Sequence, residues 1–140
     1  MEKTSGFNIP IAKPYLSGHE TELVADVIKS GWVCQGPMVA RFEEAVAAYT
    51  GARHAVATTS CTTALHLAML INRIGQGHDV ICPSYSFIAT ANGIRYSGAE
   101  PQFVDIDPQT LNIDPVATEE FIAANYTADL RNRKTGNTLA

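Results

Sequence analysis

A short run of hydroxyl and small residues, Ser60-Cys61-Thr62-Thr63, is well suited to hold a charged ligand. It follows an apolar, β-branched stretch and precedes a stretch with helical spacing, so we expect it at the start of a helix. The first backbone N–H groups of a helix have no internal partners, and the helix dipole places partial positive charge there. Thr62 and Thr63 add hydroxyl donors, so the turn suits a phosphate group. The alternative is a simple cap, because serine and threonine are common N-caps that often bind nothing.

The segment 83–92, PSYSFIATAN, places two aromatic residues after a second apolar stretch. In open α/β sheets ligands bind beyond the carboxyl ends of strands, so this segment and the hydroxyl-rich turn should face one crevice. The ring of Tyr85 or Phe87 would stack there on a flat heteroaromatic ligand. Packing of both rings in the core is the alternative, and these residues taken alone favour it.

Other kinds of site are disfavoured by spacing and charge. The three cysteines form no C-x-x-C pair and the four histidines show no H-x-x-x-H or H-E-x-x-H spacing, which argues against disulfides and metal binding. The turn matches neither G-x-G-x-x-G nor G-x-x-x-x-G-K-[ST]. A formal net charge of −4 without a Lys/Arg run argues against nucleic acid. No apolar stretch approaches a membrane span and residues 1–15 lack a signal's apolar core, which predicts a soluble cytoplasmic protein with no membrane partner.

The elements that must position these segments alternate between helical and strand-like patterns. We expect helices at 17–30 with Ser17 as N-cap, at 39–49, at 61–75, at 88–96, and from Pro115 with Asp114 as N-cap. We expect strands at 54–60, 79–86 and 101–107. Strands separated by helices indicate βαβ units, and therefore an α/β fold with a mainly parallel sheet and flanking helices.

The sequence becomes polar after Ile122, and we expect neither a capping helix nor a closing strand there. Three strands make a thin parallel sheet, and parallel sheets normally have both faces covered. We therefore expect residues 1–124 to be the first part of a larger domain and residues 125–140 to be a polar tail, truncated or disordered. A complete small domain with a disordered tail is the alternative.

Several short blocks follow one another along the chain: PIAKPY at 10–15, SGW at 30–32, GP at 36–37, FE at 42–43, YTG at 49–51, SCTTALHLA at 60–68, GHDVI at 77–81, PSYSFIATAN at 83–92, GA at 98–99 and FVDID at 103–107. In these blocks the chain resembles the DegT/DnrJ/EryC1/StrS aminotransferases over about residues 9–124. These are pyridoxal 5'-phosphate (PLP) enzymes of fold type I that act mainly on nucleotide-linked keto sugars. The resemblance implies PLP as cofactor and a partial PLP-transferase fold type I large domain.

The resemblance also implies roles for the turn and for one aromatic residue. Ser60-Cys61-Thr62-Thr63 matches the family's S-G-T-A turn, where backbone amides and a threonine hydroxyl hold the PLP phosphate. Cys61 and Thr63 stand where glycine and alanine are common, and both are small enough to keep the geometry of a helix start. Phe87 matches the aromatic residue that stacks on the pyridine ring.

On the substrate side, the resemblance points to Gly31 and Trp32, which match a segment lining that part of the site. Simple packing explains Trp32 equally well. The implied partners are a nucleotide-linked keto sugar, an amino-acid donor and a second copy of the chain in a homodimer.

The Schiff-base lysine and the acidic partner of the pyridinium nitrogen come from a later part of the family's large domain. The lysines of this chain fall outside any matching motif: Lys3, Lys13, Lys29 and Lys134. Asp105 and Asp107 match a different block and are interpreted as turn-forming residues. We therefore expect the N-terminal fragment of a PLP-dependent aminotransferase, inactive by itself. The alternatives are a non-catalytic PLP- or phosphate-binding module completed by a partner chain and an independent nucleotide-binding domain.

Overall fold

The computed structural model describes residue 10 and residues 12–140, and it divides into two compact units after Ala57. The first unit contains helices α1 (His19–Ser30) and α2 (Pro37–Thr50). The second contains α3 (Cys61–Ile71), β1 (His78–Pro83), α4 (Ala89–Tyr96), β2 (Glu100–Val104), α5 (Pro115–Asn125) and β3 (Thr138–Leu139). Lys3 and Ile11, which the sequence analysis included, lie outside the described residues.

Glycine ends both helices of the first unit. Gly31 (φ 73°) and Gly51 (φ 74°) follow the last turns of α1 and α2 in the left-handed conformation that favours this residue. The helices expected at 17–30 and 39–49 are therefore confirmed, and α2 begins two residues earlier than expected. Pro37 occupies its first turn, where a missing N–H costs nothing.

Ser17 is not the N-cap of α1, contrary to the expectation. Gly18 holds that position, and no side chain caps it. Ser17 instead donates from its backbone N–H (2.9 Å) and its hydroxyl (3.0 Å) to the carboxylate of Glu20. The serine hydroxyl is thus used by a carboxylate in the first turn rather than by a helix amide.

The expected strand at 54–60 is wrong, because no regular structure is present there. The N–H of Ala57 donates to the carboxylate of Glu43 (2.8 Å), so a side chain of α2 takes the hydrogen bond that a neighbouring strand would need. An apolar, β-branched stretch predicts a strand only where another strand is available to pair with it.

The second unit is organised by a three-stranded parallel sheet with strand order β2-β1-β3. The strands expected at 79–86 and 101–107 are confirmed with shorter bounds, as is the parallel sheet with flanking helices. The buried apolar side chains of this unit come from the strands, α4 and the segments after α4 and α5: Cys82, Ile94, Ala99, Val104 and Tyr126.

The polar tail does carry a closing strand, which corrects the expectation that none follows Ile122. Two backbone bonds join this strand to β1 and the turn before it, from Thr138 N–H to Gly77 O (2.9 Å) and from Ala140 N–H to Asp79 O (3.0 Å). Hydrophobic periodicity could not reveal β3, because only two residues form it and neighbouring polar side chains anchor it.

The expected start of α5 is confirmed. Asp114 is its N-cap, and its carboxylate accepts hydrogen bonds from the N–H groups of Val116 (2.8 Å) and Ala117 (3.3 Å). Pro115 occupies the first helical position. This helix therefore begins at the residue pair that its sequence indicates.

Candidate active site

Ser60 caps α3, as the hydroxyl-rich turn predicts. Its backbone is extended, and its Oγ accepts a hydrogen bond from the N–H of Thr63 (3.1 Å). The hydroxyl of Thr63 lies 2.9 Å from that of Ser60 and 3.1 Å from that of Thr59. The side chains of Ser60 and Thr63 therefore fix the turn by bonding to each other.

The donors that remain at this helix start belong to Cys61 and Thr62. Their backbone N–H groups occupy the first two helical positions, where no carbonyl of the helix can reach them. The hydroxyl of the partly buried Thr62 stands beside them. These N–H groups, the hydroxyl and the helix dipole together fit a phosphate dianion. Among the four residues of the turn, Cys61 and Thr62 thus offer donors to a ligand while Ser60 and Thr63 shape the cap.

Phe87 lies in the loop between β1 and α4, and the residue is 81% exposed. Tyr85 in the same loop is also exposed, so packing in the core does not account for either ring. Phe87 borders a cavity of about 220 Å³ together with Pro83 of β1, Thr90 of α4, Phe103 of β2 and Ser84 in the loop after β1. The ring is therefore available as a stacking surface at the carboxyl end of the sheet.

Helices α3 and α4, which follow the hydroxyl-rich turn and the Phe87 loop, pack closely on each other. A Cβ added at Gly93 would lie 2.9 Å from the Cβ of Leu65, so the two helices touch at this point. Each helix begins four residues before the contact, which is about 6 Å along its axis. The hydroxyl-rich turn and the Phe87 loop thus precede helices that touch about one helical turn after their first residues.

Gly31 and Trp32 lie in the first unit, whereas the turn and Phe87 lie in the second. Gly31 is the C-cap of α1, with its N–H donating to Ile28 O (3.1 Å). The indole N–H of Trp32 donates to the backbone oxygen of Gln35, and the ring is 59% exposed. The substrate-side roles of Gly31 and Trp32 remain predictions.

The aspartates after β2 behave as turn residues, as expected. Asp107 accepts hydrogen bonds from the N–H groups of Gln109 (2.6 Å) and Thr110 (3.0 Å). Asp105 accepts from the hydroxyl of Ser84 (3.2 Å) and the N–H of Ile106 (3.0 Å). Asp105 therefore ties the loop after β1 to the end of β2, next to the Phe87 loop.

The sequence analysis did not single out Asp79, a fully buried carboxylate at the start of β1. It accepts hydrogen bonds from the hydroxyl of Tyr126 (2.8 Å) and the amides of Asn132 (2.6 Å) and Asn137 (2.7 Å). Burial alone would raise the pKa of Asp79, but the hydrogen bonds from Asn137, Tyr126 and Asn132 outweigh it and lower that pKa. The sequence feature that could have revealed this buried carboxylate is an aspartate directly before the apolar residues VIC in the expected strand.

The described residues show neither a metal-binding cluster of three or more His, Cys, Asp or Glu side chains nor a helix long and apolar enough to cross a membrane. The lysines in this part of the chain, Lys13, Lys29 and Lys134, are exposed, and Lys29 pairs with Asp26 (3.7 Å).

Free amide donors at a helix start and an exposed aromatic ring in a loop after a parallel strand are features suited to a phosphorylated aromatic ligand. The chain belongs to the DegT/DnrJ/EryC1/StrS aminotransferase family, whose sequence profile matches residues 14–130. The cofactor of this family is PLP, and a Streptococcus pneumoniae relative solved in its PLP form superposes with a TM-score of 0.74 at 32% identity, over 81% of this chain and 29% of that one. The expected family, fold and cofactor are thus confirmed.

Two curated relatives match a similar share of the chain. The spore coat polysaccharide biosynthesis protein SpsC of Bacillus subtilis is 47% identical over 79% of this chain and 28% of its own length. The UDP-4-amino-4-deoxy-L-arabinose–oxoglutarate aminotransferase of Shewanella sediminis is 40% identical over 81% of this chain and 29% of its own length. The chain thus spans less than a third of the length of these two curated relatives.

Proposed function

We propose that these 140 residues form the PLP phosphate and ring half of an aminotransferase that moves an amino group from an amino-acid donor to a nucleotide-linked keto sugar. The observation that carries the proposal is the start of α3, where Ser60 and Thr63 cap each other and leave the N–H groups of Cys61 and Thr62 to a ligand. Support for the substrate class comes from the Shewanella sediminis relative, whose name specifies a UDP-linked amino sugar and oxoglutarate.

Each residue of the proposed site has one physical task. The backbone N–H groups of Cys61 and Thr62 and the Thr62 hydroxyl bind the phosphate, Ser60 and Thr63 hold the turn in shape, and the ring of Phe87 lies against the pyridine ring. When bound, PLP supplies the electron sink that transamination requires.

Transamination also requires a lysine that forms a Schiff base with the cofactor. The exposed Lys13, Lys29 and Lys134 lie outside the family's lysine motif, so the 140 residues by themselves are proposed to hold PLP without turning over substrate. Gly31 and Trp32 are assigned to the substrate side, and a homodimer is the proposed assembly.

The phosphate assignment is tested by titrating the full chain with PLP and with pyridoxal, which lacks the phosphate. Thr62→Val removes one hydroxyl and keeps the shape of the side chain. A hydrogen bond to a charged group contributes about 1.5–3 kcal/mol, so PLP affinity should fall about 10- to 100-fold while pyridoxal affinity stays unchanged. Thr21→Val, at an exposed position of α1, is the matched control. An equal loss of affinity for both ligands, or an unchanged affinity for PLP, would refute the assignment.

Phe87→Leu separates the ring contact from the phosphate contact. Loss of stacking should weaken the binding of PLP and of pyridoxal by the same amount, about 0.5–1.5 kcal/mol. Borohydride reduction of the PLP-loaded chain, followed by peptide mass spectrometry, addresses the lysine: labelling of one lysine at full stoichiometry would contradict the proposal that the Schiff-base residue is missing.

A second candidate, a non-catalytic module completed by a partner chain, is favoured by the exposed apolar side chains of α3. Leu67, Leu70 and Ile71 of this helix all have substantial exposure. Sedimentation velocity of the full chain with and without PLP distinguishes the assemblies: a dimer supports the homodimer, whereas a monomer that binds PLP favours completion by a different chain.

A further inference from the structure

We infer that Gly36 is a positioning residue: its missing side chain leaves the space in which the indole ring of Trp32 lies. A Cβ built on Gly36 would overlap Cδ1 and Nε1 of Trp32 and would stand 2.9 Å from its Cγ. Non-bonded carbon atoms approach to about 3.5–4.0 Å, so even alanine at this position overlaps the ring. The five-membered part of the indole therefore rests directly on the Gly36 backbone.

The requirement for glycine at position 36 comes from this contact and not from backbone conformation. Gly36 has φ −168° and ψ −162°, an extended conformation that other residues adopt. Gly31 and Gly51 nearby are the opposite case, because they have positive φ and open space around a built Cβ. Gly36 is thus a glycine of this unit whose replacement acts through Trp32.

Two further contacts hold the Trp32 residue in this place. Its indole N–H donates to the backbone oxygen of Gln35, the residue next to Gly36. Its backbone N–H donates to the hydroxyl of Ser30 (3.1 Å) at the end of α1. A side chain at position 36 would push the ring away from the Gln35 oxygen, so the steric contact and the hydrogen bond are lost together.

The ring also forms one wall of a cavity of about 420 Å³ that lies between the end of α1 and the start of α2. The other walls are largely apolar and include Val27, Val33 and Val39. Displacement of the indole removes this wall. Gly36 therefore controls the shape of the cavity through Trp32.

The substrate-side role of Trp32 rests on the proposed function, whereas the position of its ring does not. A spectroscopic test of the ring therefore fails or succeeds independently of PLP binding. Trp32 is the single tryptophan of the chain, so intrinsic fluorescence excited at the indole band reports this residue alone.

The first experiment compares acrylamide quenching of Trp32 fluorescence in the full chain, in Gly36→Ala and in Gln35→Ala. The second variant is the control, because the acceptor at Gln35 is a backbone oxygen that alanine retains. We expect the quenching constant of Gly36→Ala to rise towards that of free tryptophan amide, and that of Gln35→Ala to stay at the wild-type value. An unchanged constant in Gly36→Ala would overturn the inference.

The second experiment keeps the inference testable if Gly36→Ala is strongly destabilised. The thermal midpoint is measured by circular dichroism for Gly36→Ala in the wild-type chain and in the Trp32→Ala background. If the cause is steric, Gly36→Ala should clearly lower the thermal midpoint of the wild-type chain. It should lower the midpoint of the Trp32→Ala chain much less, because the indole ring is absent there. Equal falls in both backgrounds would mean that the backbone itself requires glycine, and the inference would be wrong.

Discussion

Replacing Tyr126 by phenylalanine removes one hydroxyl and keeps the ring, which isolates a single bond of the buried cluster around Asp79. Tyr126 is 2% exposed, and its hydroxyl donates to Asp79 over 2.8 Å. A hydrogen bond to a charged group contributes about 1.5–3 kcal/mol, so Tyr126→Phe should lower the free energy of unfolding of the second unit by about 2 kcal/mol at neutral pH. Asn132 and Asn137 still reach the carboxylate, which keeps the loss below that of removing Asp79.

The pH dependence of this loss follows from the two pKa shifts. Burial, then the hydrogen bond to Asp79, raise the pKa of Tyr126 to about 12. The unfolded chain ionises this tyrosine near pH 10, so wild-type stability from this group is complete below about pH 10 and is lost as the pH rises towards 12. A rise from about 10 to about 12 corresponds to about 3 kcal/mol. The advantage of the wild type over Tyr126→Phe should therefore vanish near pH 12.

At acidic pH the stability changes with pH in the opposite direction. The pKa of Asp79 is lowered in the folded chain, because its hydrogen bonds outweigh the effect of burial. Its contribution is present above the unfolded value of about 3.9 and is lost as the pH falls through the folded value. Tyr126→Phe has a weaker cluster, so the difference between the two chains should shrink below about pH 4.

Urea unfolding followed by circular dichroism across this pH range measures the difference, with the slope of the transition checked for constancy. Tyr96→Phe removes the same atom from an exposed tyrosine of α4 and should change little at any pH near neutrality. A difference that stays constant from about pH 7 to about pH 12 would refute the reasoning, because the tyrosine would then not be ionising against a buried carboxylate.

Two further predictions concern a helix cap and the thiols. Asp114→Ala should cost about 1 kcal/mol in thermal unfolding, because the first amides of α5 lose their acceptor, whereas Glu120→Ala on the same helix should cost little. An aromatic disulfide reagent should label Cys34 and Cys61 in the folded chain and Cys82 only after unfolding, because burial raises the pKa of the Cys82 thiol and blocks access. Rapid labelling of all three thiols in the folded chain would contradict the described core.

Features that depend on a few neighbouring residues could be predicted from the sequence. The pair Asp114-Pro115 predicts the start of α5, and the Ser60 turn predicts the start of α3, because caps act over three residues. Each of these caps bonds to backbone amides within three residues of its own position. The exposed position of Phe87 is different, because the residues of its loop taken alone favoured packing in the core and only the family resemblance implied a stacking surface.

Features that depend on distant partners were missed. The strand expected at 54–60 fails because Glu43, from the preceding helix, binds the N–H of Ala57. Asp79 looks like a strand residue, and its donors lie 47, 53 and 58 positions further along the chain. Hydrophobic periodicity carries no information about such pairs, because they are polar and far apart in sequence.

The Asp79 cluster also explains how so short a strand as β3 holds its place. Backbone bonds hold this strand on both sides, with Thr138 N–H donating to Gly77 O and Leu139 N–H donating to Leu130 O. The carboxylate adds charge-assisted bonds from Asn132 and Asn137 that fix the segment leading into β3. A buried charge strongly favours the one arrangement that satisfies it, because any slip of β3 would leave the carboxylate short of donors. The Asp79 cluster therefore supports the register that the backbone bonds of β3 set.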